Sequence, residues 1–268
     1  MNRRLYVPAS RSLVPPLLVA LHGCRQDAED FASGTRFDRI AERYGAIVVY
    51  PEQDERENGH RCWNWFLAEN QRREGPEPSA ILEIVEDVIR AHDVDRRRVF
   101  VAGLSAGASM AAILAEQAPD VFSAAALMAG VALHAASDES SAYAAMRGDV
   151  QPGVTLLGRG AVDGKAYASS RAIVWTGVLD RRVDPINARR LAEQFRALYG
   201  LRDEPSEELT FGGKETVWRD DAGRIRVVLR ELPGVGHAWS GGSLRGSYTA
   251  PAGPKFSEAA FRFFLEGS

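Results

Sequence analysis

The chain is poor in lysine and in long apolar stretches. Of its 33 basic residues only Lys165, Lys214 and Lys255 are lysines, and its net charge is −3 at pH 7. Because positive charge is not in excess, the sequence gives no electrostatic reason to expect nucleic acid as a partner. No apolar stretch approaches the ~18 residues that a membrane-spanning helix needs, so we expect no membrane partner either.

Cysteine is also scarce, since Cys24 and Cys62 are the only two. Two thiols are too few for a disulfide-built scaffold or a thiolate zinc site, and we expect no metal. Pairing of the two would suit an oxidising compartment, and two buried free thiols are the alternative. What the 268 residues do contain is 45% hydrophobic residues, enough to bury a sizeable core.

Short apolar runs alternate with helical patterns along the chain. Predicted strands cover residues 17–21, 46–50, 99–102, 124–131, 173–175, 215–218 and 224–232, and predicted helices cover 27–44, 79–91, 106–117, 187–199 and 255–265. This alternation predicts an α/β fold with a mostly parallel central sheet and helices on both faces, in a single domain over residues 1–268. Residues 134–170, rich in Ala, Ser and Gly without a clear period, are interpreted as a small cap or insertion.

The most informative motif is Gly103-Leu104-Ser105-Ala106-Gly107, which matches G-x-S-x-G between a predicted strand and a predicted helix. A sharp turn there would project the serine hydroxyl, and the glycines would let strand and helix approach closely. The helix N-terminus would place N–H groups near a developing oxyanion. We therefore expect an α/β-hydrolase fold with Ser105 as nucleophile; the alternative is a Gly-Ser turn that only begins a helix.

The order of residues along the chain indicates the general base and the acid, because in this fold the acid follows the nucleophile and the histidine follows the acid. Of the five histidines, only His237 lies near the C-terminus, on a glycine-rich loop after a strand. Asp180 lies closer to the end of the preceding strand than Asp184, whose place before Pro185 suits helix entry. We expect His237 as the base and Asp180 as the acid that accepts its second N–H.

The loop after the first strong strand, residues 22–24, supplies an oxyanion donor in this architecture. We expect the backbone amides of Cys24 and Ala106 to form the oxyanion hole. Three indoles are candidates for substrate-pocket walls, with core packing as the alternative: Trp63, Trp65 and Trp239.

Together these motifs resemble the polyhydroxybutyrate (PHB) depolymerase family of esterases, which also includes feruloyl and acetylxylan esterases. The matching segments are 4–8, 21–26, 62–66, 102–107, 177–187 and 236–242. The resemblance implies a Ser105, Asp180 and His237 triad and supports a disulfide between Cys24 and Cys62. Two departures are Ala108, where the family commonly has a second glycine, and Thr176, where relatives usually have histidine.

The family is often exported, so the resemblance implies an extracellular or periplasmic protein, with a cytoplasmic one as the alternative. No small-residue cleavage site follows the apolar run 13–21. We expect a serine carboxylic ester hydrolase that works through an acyl-enzyme without a cofactor. Its partners would be small-molecule or oligomeric esters: short acyl esters, hydroxybutyrate oligomers, or feruloyl and acetyl esters. An acyltransferase on the same triad and a non-catalytic binding protein on this fold are the alternatives.

Overall fold

A nine-stranded sheet organises the computed structural model, which describes residues 1–149, 167–210 and 212–266. Its strands are β1 (Asn2–Tyr6), β2 (Leu17–Leu21), β3 (Ile47–Glu52), β4 (Val99–Leu104), β5 (Ala124–Met128), β6 (Arg171–Gly177), β7 (Ser206–Thr210), β8 (Gly213–Arg219) and β9 (Ile225–Leu232). The order across the sheet is β1-β3-β2-β4-β5-β6-β9-β8-β7. The strands from β3 to β9 in this order are parallel, and the two edges are antiparallel, so the predicted mostly parallel sheet is confirmed.

Helices cover both faces of this sheet, as predicted. They are α1 (Ala28–Thr35), α2 (Phe37–Tyr44), α3 (Pro76–His92), α4 (Ala106–Gln117), α5 (Glu139–Met146), α6 (Ile186–Leu198) and α7 (Phe256–Leu265). One core layer holds α3, α4 and α6, and the other holds α1, α2 and α7. Because alternate residues of a strand face opposite layers, the central strands β2 and β4 are apolar and buried throughout.

The stretch 27–44, predicted as one helix, forms two. Arg36 adopts a left-handed conformation with φ 57°, and its N–H bonds to the carbonyl of Ala32, which ends α1 before α2 begins. The apolar stripe nevertheless looks continuous in the sequence, because Phe31 and Phe37 pack edge-on against the same indole, that of Trp239. Two short helices on one hydrophobic target therefore mimic one longer helix.

The expected insertion at 134–170 contains α5, whose N-terminus is capped reciprocally by Asp138 and Ser141. Residues 150–166 lie outside the described residues. The edge strands β1 and β7 were not predicted, because they are polar and largely exposed and lack an apolar alternation. The short strands β10 (Trp239–Ser240) and β11 (Thr249–Ala250) form a separate parallel pair. In the described part of the chain, no helix has the length and apolarity to cross a membrane.

Candidate active site

Ser105 sits in a strained turn between β4 and α4. Its φ of 57° and ψ of −120° are unusual for a residue with a side chain, and its N–H is held by the carbonyl of Met128 at 2.9 Å. A Cβ on Gly103 would lie 2.2 Å from the carbonyl oxygen of Gly107. A Cβ on Gly107 would lie 2.2 Å from that of Leu21. Both glycines are therefore needed for α4 to approach β4 and β2 this closely.

The loop after β2 runs beside this turn and is bonded at almost every amide. Gly23 N–H donates to Gln26 Oε1 at 2.9 Å, and Arg25 N–H donates to the carbonyl of His60 at 2.7 Å. Between them, the amide of Cys24 has no hydrogen-bond partner among the described residues. The amide of Ala106, in the first turn of α4, has no partner within its helix. These are the two amides that the sequence predicts as oxyanion donors.

His22 holds this loop from behind. Its buried ring contacts the Gly23 carbonyl through Nδ1 at 2.8 Å, and its Nε2 accepts the Gln53 N–H at 3.1 Å. An acceptor role at Nε2 places the proton on Nδ1, which then donates to the carbonyl. Burial lowers the pKa of His22, so the ring stays neutral in this role.

Asp180 and His237 meet at the carboxyl ends of β6 and β9. His237 Nδ1 lies 2.7 Å from Asp180 Oδ2, and the Asp180 side chain is fully buried. The other oxygen, Oδ1, accepts the amides of Arg182 and Val183 at 2.8 and 3.0 Å. The carboxylate is thus fixed on one side by backbone and faces the imidazole with the other.

A glycine allows the two loops to come together. A Cβ on Gly177 would lie 2.2 Å from the carbonyl oxygen of Val235, on the loop that leads to His237. The Leu179 amide donates to that same carbonyl at 3.0 Å. Asp184, the other acid considered, accepts at 2.9 Å the amide of Ile186, the first residue of α6, and so orders the turn that leads into this helix.

A disulfide joins Cys24 to Cys62, as the resemblance implies. It ties the loop after β2 to the segment 53–67, whose anchor is the buried Glu77. The Glu77 carboxylate accepts the Asn64 N–H, the Asn64 side chain and the Gln53 side chain. Burial raises the pKa of Glu77 to about 7, although these hydrogen bonds act to lower it.

One cavity of about 730 Å³ brings these parts together, since Ser105, His237, Gly23 and Cys24 all line it. Its remaining walls fall into two chemical types. Aromatic and aliphatic side chains include Trp65, Phe66, Leu67, Ala142, Tyr143 and Met146. Polar side chains include Arg25, Asn58, His60, Asn64 and Arg182. The site therefore offers an apolar surface and a polar surface beside the serine.

The three tryptophans that the sequence predicts as pocket walls do not share one environment in the structure. Trp65 lines the cavity. Trp63 and Trp239 do not, and the expectation for them is corrected: both are buried in the core. The Trp63 indole N–H donates to the carbonyl of His22, and that of Trp239 donates to the Ser257 hydroxyl. A tryptophan near a catalytic motif in sequence still packs inward when its N–H finds a buried acceptor.

Sequence reasoning missed several residues that form the site. Tyr248 and Arg182 line the cavity, with the guanidinium of Arg182 placed 5.6 Å from the Tyr248 ring centre. Arg182 follows Asp180 by two residues, so its position on the same loop was a usable signal. Tyr143 and Met146 come from α5, which was not recognised as a helix. In the described residues, no group of three His, Cys, Asp or Glu side chains is arranged to bind a metal ion.

Comparison with known proteins places the chain among esterases. The sequence model described as Esterase PHB depolymerase matches residues 1–217. The chain belongs to this family. It is 34% identical over 241 residues to poly(3-hydroxyalkanoate) depolymerase C of Paucimonas lemoignei, covering 87% of this chain and 57% of that protein. It is 28% identical over 260 residues to poly(3-hydroxybutyrate) depolymerase of Ralstonia pickettii, covering 89% and 51% respectively. This member of the family thus spans about half the length of these curated relatives.

Solved structures show the same fold. An acetyl xylan esterase from Aspergillus awamori superposes with a TM-score of 0.72 at 19% identity, covering 98% of this chain and 93% of that one. A ferulic acid esterase superposes with a TM-score of 0.59 at 18% identity, covering 88% and 85%. At these identities the likeness establishes the α/β-hydrolase fold.

Proposed function

We propose that this family member hydrolyses carboxylic esters with Ser105 as nucleophile, His237 as general base and Asp180 as the acid that orients the base. The observation that carries the proposal is the 2.7 Å contact between His237 Nδ1 and the buried Asp180 carboxylate at the cavity that Ser105 lines. A histidine held in this way presents Nε2 as the proton acceptor. The strained backbone of Ser105 turns its hydroxyl toward the cavity rather than into a helix cap.

The reaction follows from these positions. Ser105 Oγ attacks the ester carbonyl carbon while His237 Nε2 takes its proton, and the carbonyl oxygen becomes an oxyanion that accepts the Cys24 and Ala106 N–H groups. His237 then gives the proton to the leaving alcohol as the carbon–oxygen bond breaks, which leaves an acyl-enzyme. Water, activated by the same histidine, releases the acid and restores Ser105. Asp180 stabilises the imidazolium in each half, and no cofactor is required.

Short acyl esters, hydroxybutyrate oligomers, and feruloyl or acetyl esters are the proposed substrates. The apolar wall formed by Trp65, Phe66 and Met146 suits an acyl chain or an aromatic acid, and the polar wall suits a hydroxylated or repeating ester partner. The names of the relatives point the same way, since they include polyhydroxyalkanoate depolymerases and an acetyl xylan esterase.

We also propose one catalytic domain over residues 1–268, in an extracellular or periplasmic compartment. One sheet recruits strands from β1 to β9, and α7 packs on it from the C-terminal end, which supports a single unit. The Cys24–Cys62 disulfide supports an oxidising compartment.

The test compares wild type with Ser105→Ala on p-nitrophenyl acetate through octanoate, methyl ferulate and a hydroxybutyrate dimer ester. We expect wild type to turn over at least one class and Ser105→Ala to lose about 10⁴-fold or more in kcat. Ser123→Ala is the matched control, because Ser123 precedes β5 at the amino ends of the central strands, opposite to Ser105, where its hydroxyl donates to the Val99 carbonyl. A fluorophosphonate should label wild type and Ser123→Ala but not Ser105→Ala. Folded wild type that neither labels nor turns over any ester would refute the proposal.

A further inference from the structure

A second histidine–carboxylate pair lies away from the triad. His134 Nε2 is 2.9 Å from both oxygens of Glu116, and the Glu116 side chain is only 6% exposed. His134 holds a left-handed backbone conformation with φ 57°. Neither residue lines the cavity, so a direct part in the proposed ester chemistry is excluded.

The pair acts on a third residue, Gln71. His134 Nδ1 lies 3.0 Å from Gln71 Oε1. The amide nitrogen of Gln71 donates to three backbone carbonyls, those of Trp65 at 3.2 Å, Phe66 at 3.3 Å and Ala136 at 2.8 Å. Three carbonyl oxygens around one nitrogen establish which end of the side-chain amide is the donor.

The position of one His134 proton follows from that orientation. Because Gln71 Oε1 accepts only, His134 Nδ1 must carry a hydrogen and donate it. The other ring nitrogen, Nε2, faces both oxygens of Glu116, and this contact fixes the plane of the imidazole. Glu116 thus holds the His134 ring, and His134 holds the Gln71 amide in one orientation.

The three carbonyls that Gln71 binds belong to, or lie next to, the two chain segments that form the apolar wall of the cavity. Trp65 and Phe66 line it themselves. Ala136 precedes by two residues Asp138, the N-cap of α5, and that helix contributes Ala142, Tyr143 and Met146. Glu116, which anchors His134 and through it Gln71, lies near the end of α4, the helix that begins after Ser105. The Gln71 amide therefore links both segments of the apolar wall, through His134 and Glu116, to the helix that follows the nucleophile.

We propose that Glu116, His134 and Gln71 are positioning residues that set the size of apolar group the cavity accepts. The proposal rests on the esterase function above and adds a determinant of its selectivity. Loss of the Glu116–His134–Gln71 contacts would let the Trp65–Phe66 segment move relative to α5, so the apolar surface would no longer have one fixed shape. Small esters, which do not reach that surface, would be processed as before.

The experiment uses two graded ester series: methyl esters from acetate to octanoate, and acetates from methyl to octyl. The variants are Glu116→Gln and Gln71→Glu. We expect kcat/KM for methyl acetate to change less than about twofold in both variants. For methyl octanoate or octyl acetate, whichever places its chain on the apolar wall, we expect kcat/KM to fall about tenfold, mainly through a higher KM. His134→Asn, which tolerates the left-handed backbone and keeps an amide donor near Gln71, should retain most of the wild-type selectivity. Glu86→Gln, which breaks a surface ion pair with Arg96, is the matched control.

Two outcomes overturn the proposal: equal losses for all esters, or unchanged profiles in both main variants. Binding of methyl ketones from acetone to 2-decanone needs no turnover and separates failure of the proposal from failure of the esterase function. Should no ester be hydrolysed by wild type, weaker binding of only the long ketones to Glu116→Gln and Gln71→Glu would still support the positioning role of the three residues. Identical ketone binding would reject it.

Discussion

Helix α4, 12 residues long, has a histidine–carboxylate pair near each end. At its start, beside Ser105, His237 contacts the buried Asp180. Near its end, about 15 Å away at 1.5 Å per residue, His134 contacts the buried Glu116. The two pairs have the same chemical groups at nearly the same separation, yet we assign catalysis to one and positioning to the other.

The difference lies in the third partner. The His237 pair borders a cavity that the strained Ser105 also lines, so in the proposed mechanism the other ring nitrogen takes the serine proton. The His134 pair borders Gln71, whose oxygen accepts a hydrogen bond and has no proton to give. A histidine–carboxylate contact by itself therefore says nothing about catalysis, and the group across the ring decides its use.

The largest effect should come from breaking the first pair. We expect Asp180→Asn to lower kcat about 10⁴-fold, because an amide no longer holds the His237 tautomer that presents a basic Nε2. Steady-state hydrolysis of the best ester from the panel measures the effect. Asp184→Asn is the matched control: Asp184 accepts the first amide of α6, so kcat should stay within about twofold and stability should fall by at most ~1 kcal/mol.

Comparison of Asp180→Asn with Glu116→Gln on one small ester, p-nitrophenyl acetate, makes the contrast between the pairs direct. A small ester should show the large loss for Asp180→Asn and nearly none for Glu116→Gln. Equal losses in the two variants would remove the distinction between a catalytic and a positioning pair. A larger loss for Asp184→Asn than for Asp180→Asn would move the acid to position 184.

A smaller effect is expected from removing the disulfide beside the cavity that His237 lines. The Cys24–Cys62 bond closes a loop with a sequence separation of 38. Replacing both cysteines by serine should lower the free energy of unfolding by about 4 kcal/mol in the chain-entropy model. Urea unfolding of oxidised wild type and the double variant measures this. Two reactive thiols in denatured, non-reduced wild type would contradict the disulfide itself.

Glu77 is a buried carboxyl that contacts no histidine among the described residues, so its pH dependence can be compared with that of the two histidine–carboxylate pairs. Burial raises its pKa from 4.5 to about 7, so the folded state binds this proton to higher pH than the unfolded chain does. Between about pH 4.5 and 7 the folded state holds more protons, and its stability should therefore fall as pH rises through that window. Relative to Glu77→Gln, wild type should lose roughly 2 kcal/mol between pH 5 and 8.

Urea unfolding at pH 5, 6, 7 and 8 measures that loss. Glu83→Gln, an exposed position on the same helix, should leave the wild-type pH dependence unchanged. A wild-type stability that rises with pH relative to Glu77→Gln would contradict the raised pKa. Glu77 thus differs from Asp180 and Glu116, because three N–H donors, rather than a histidine, face its carboxyl group.

Much of the fold was predictable because its signals are local. The buried runs in β2 and β4 and the glycines around Ser105 need only their sequence neighbours to be recognised. The two helices within 27–44 were not separable, since Phe31 and Phe37 share the distant target Trp239. The roles of the indoles failed for the same reason: Trp63 and Trp239 turn inward to buried acceptors far along the chain.

By itself the sequence determined the α/β alternation, the turn at Ser105 and the chain order of serine, acid and histidine, because these depend on local periodicity and position. The sequence also favours Asp180 as the acid, but only the tertiary structure brings its carboxylate within 2.7 Å of His237, 57 residues away, and places His134 between Glu116 and Gln71. Such contacts arise where strand order and loop packing bring distant segments within hydrogen-bond distance. No local pattern encodes that distance, so these pairs become visible only in the folded chain.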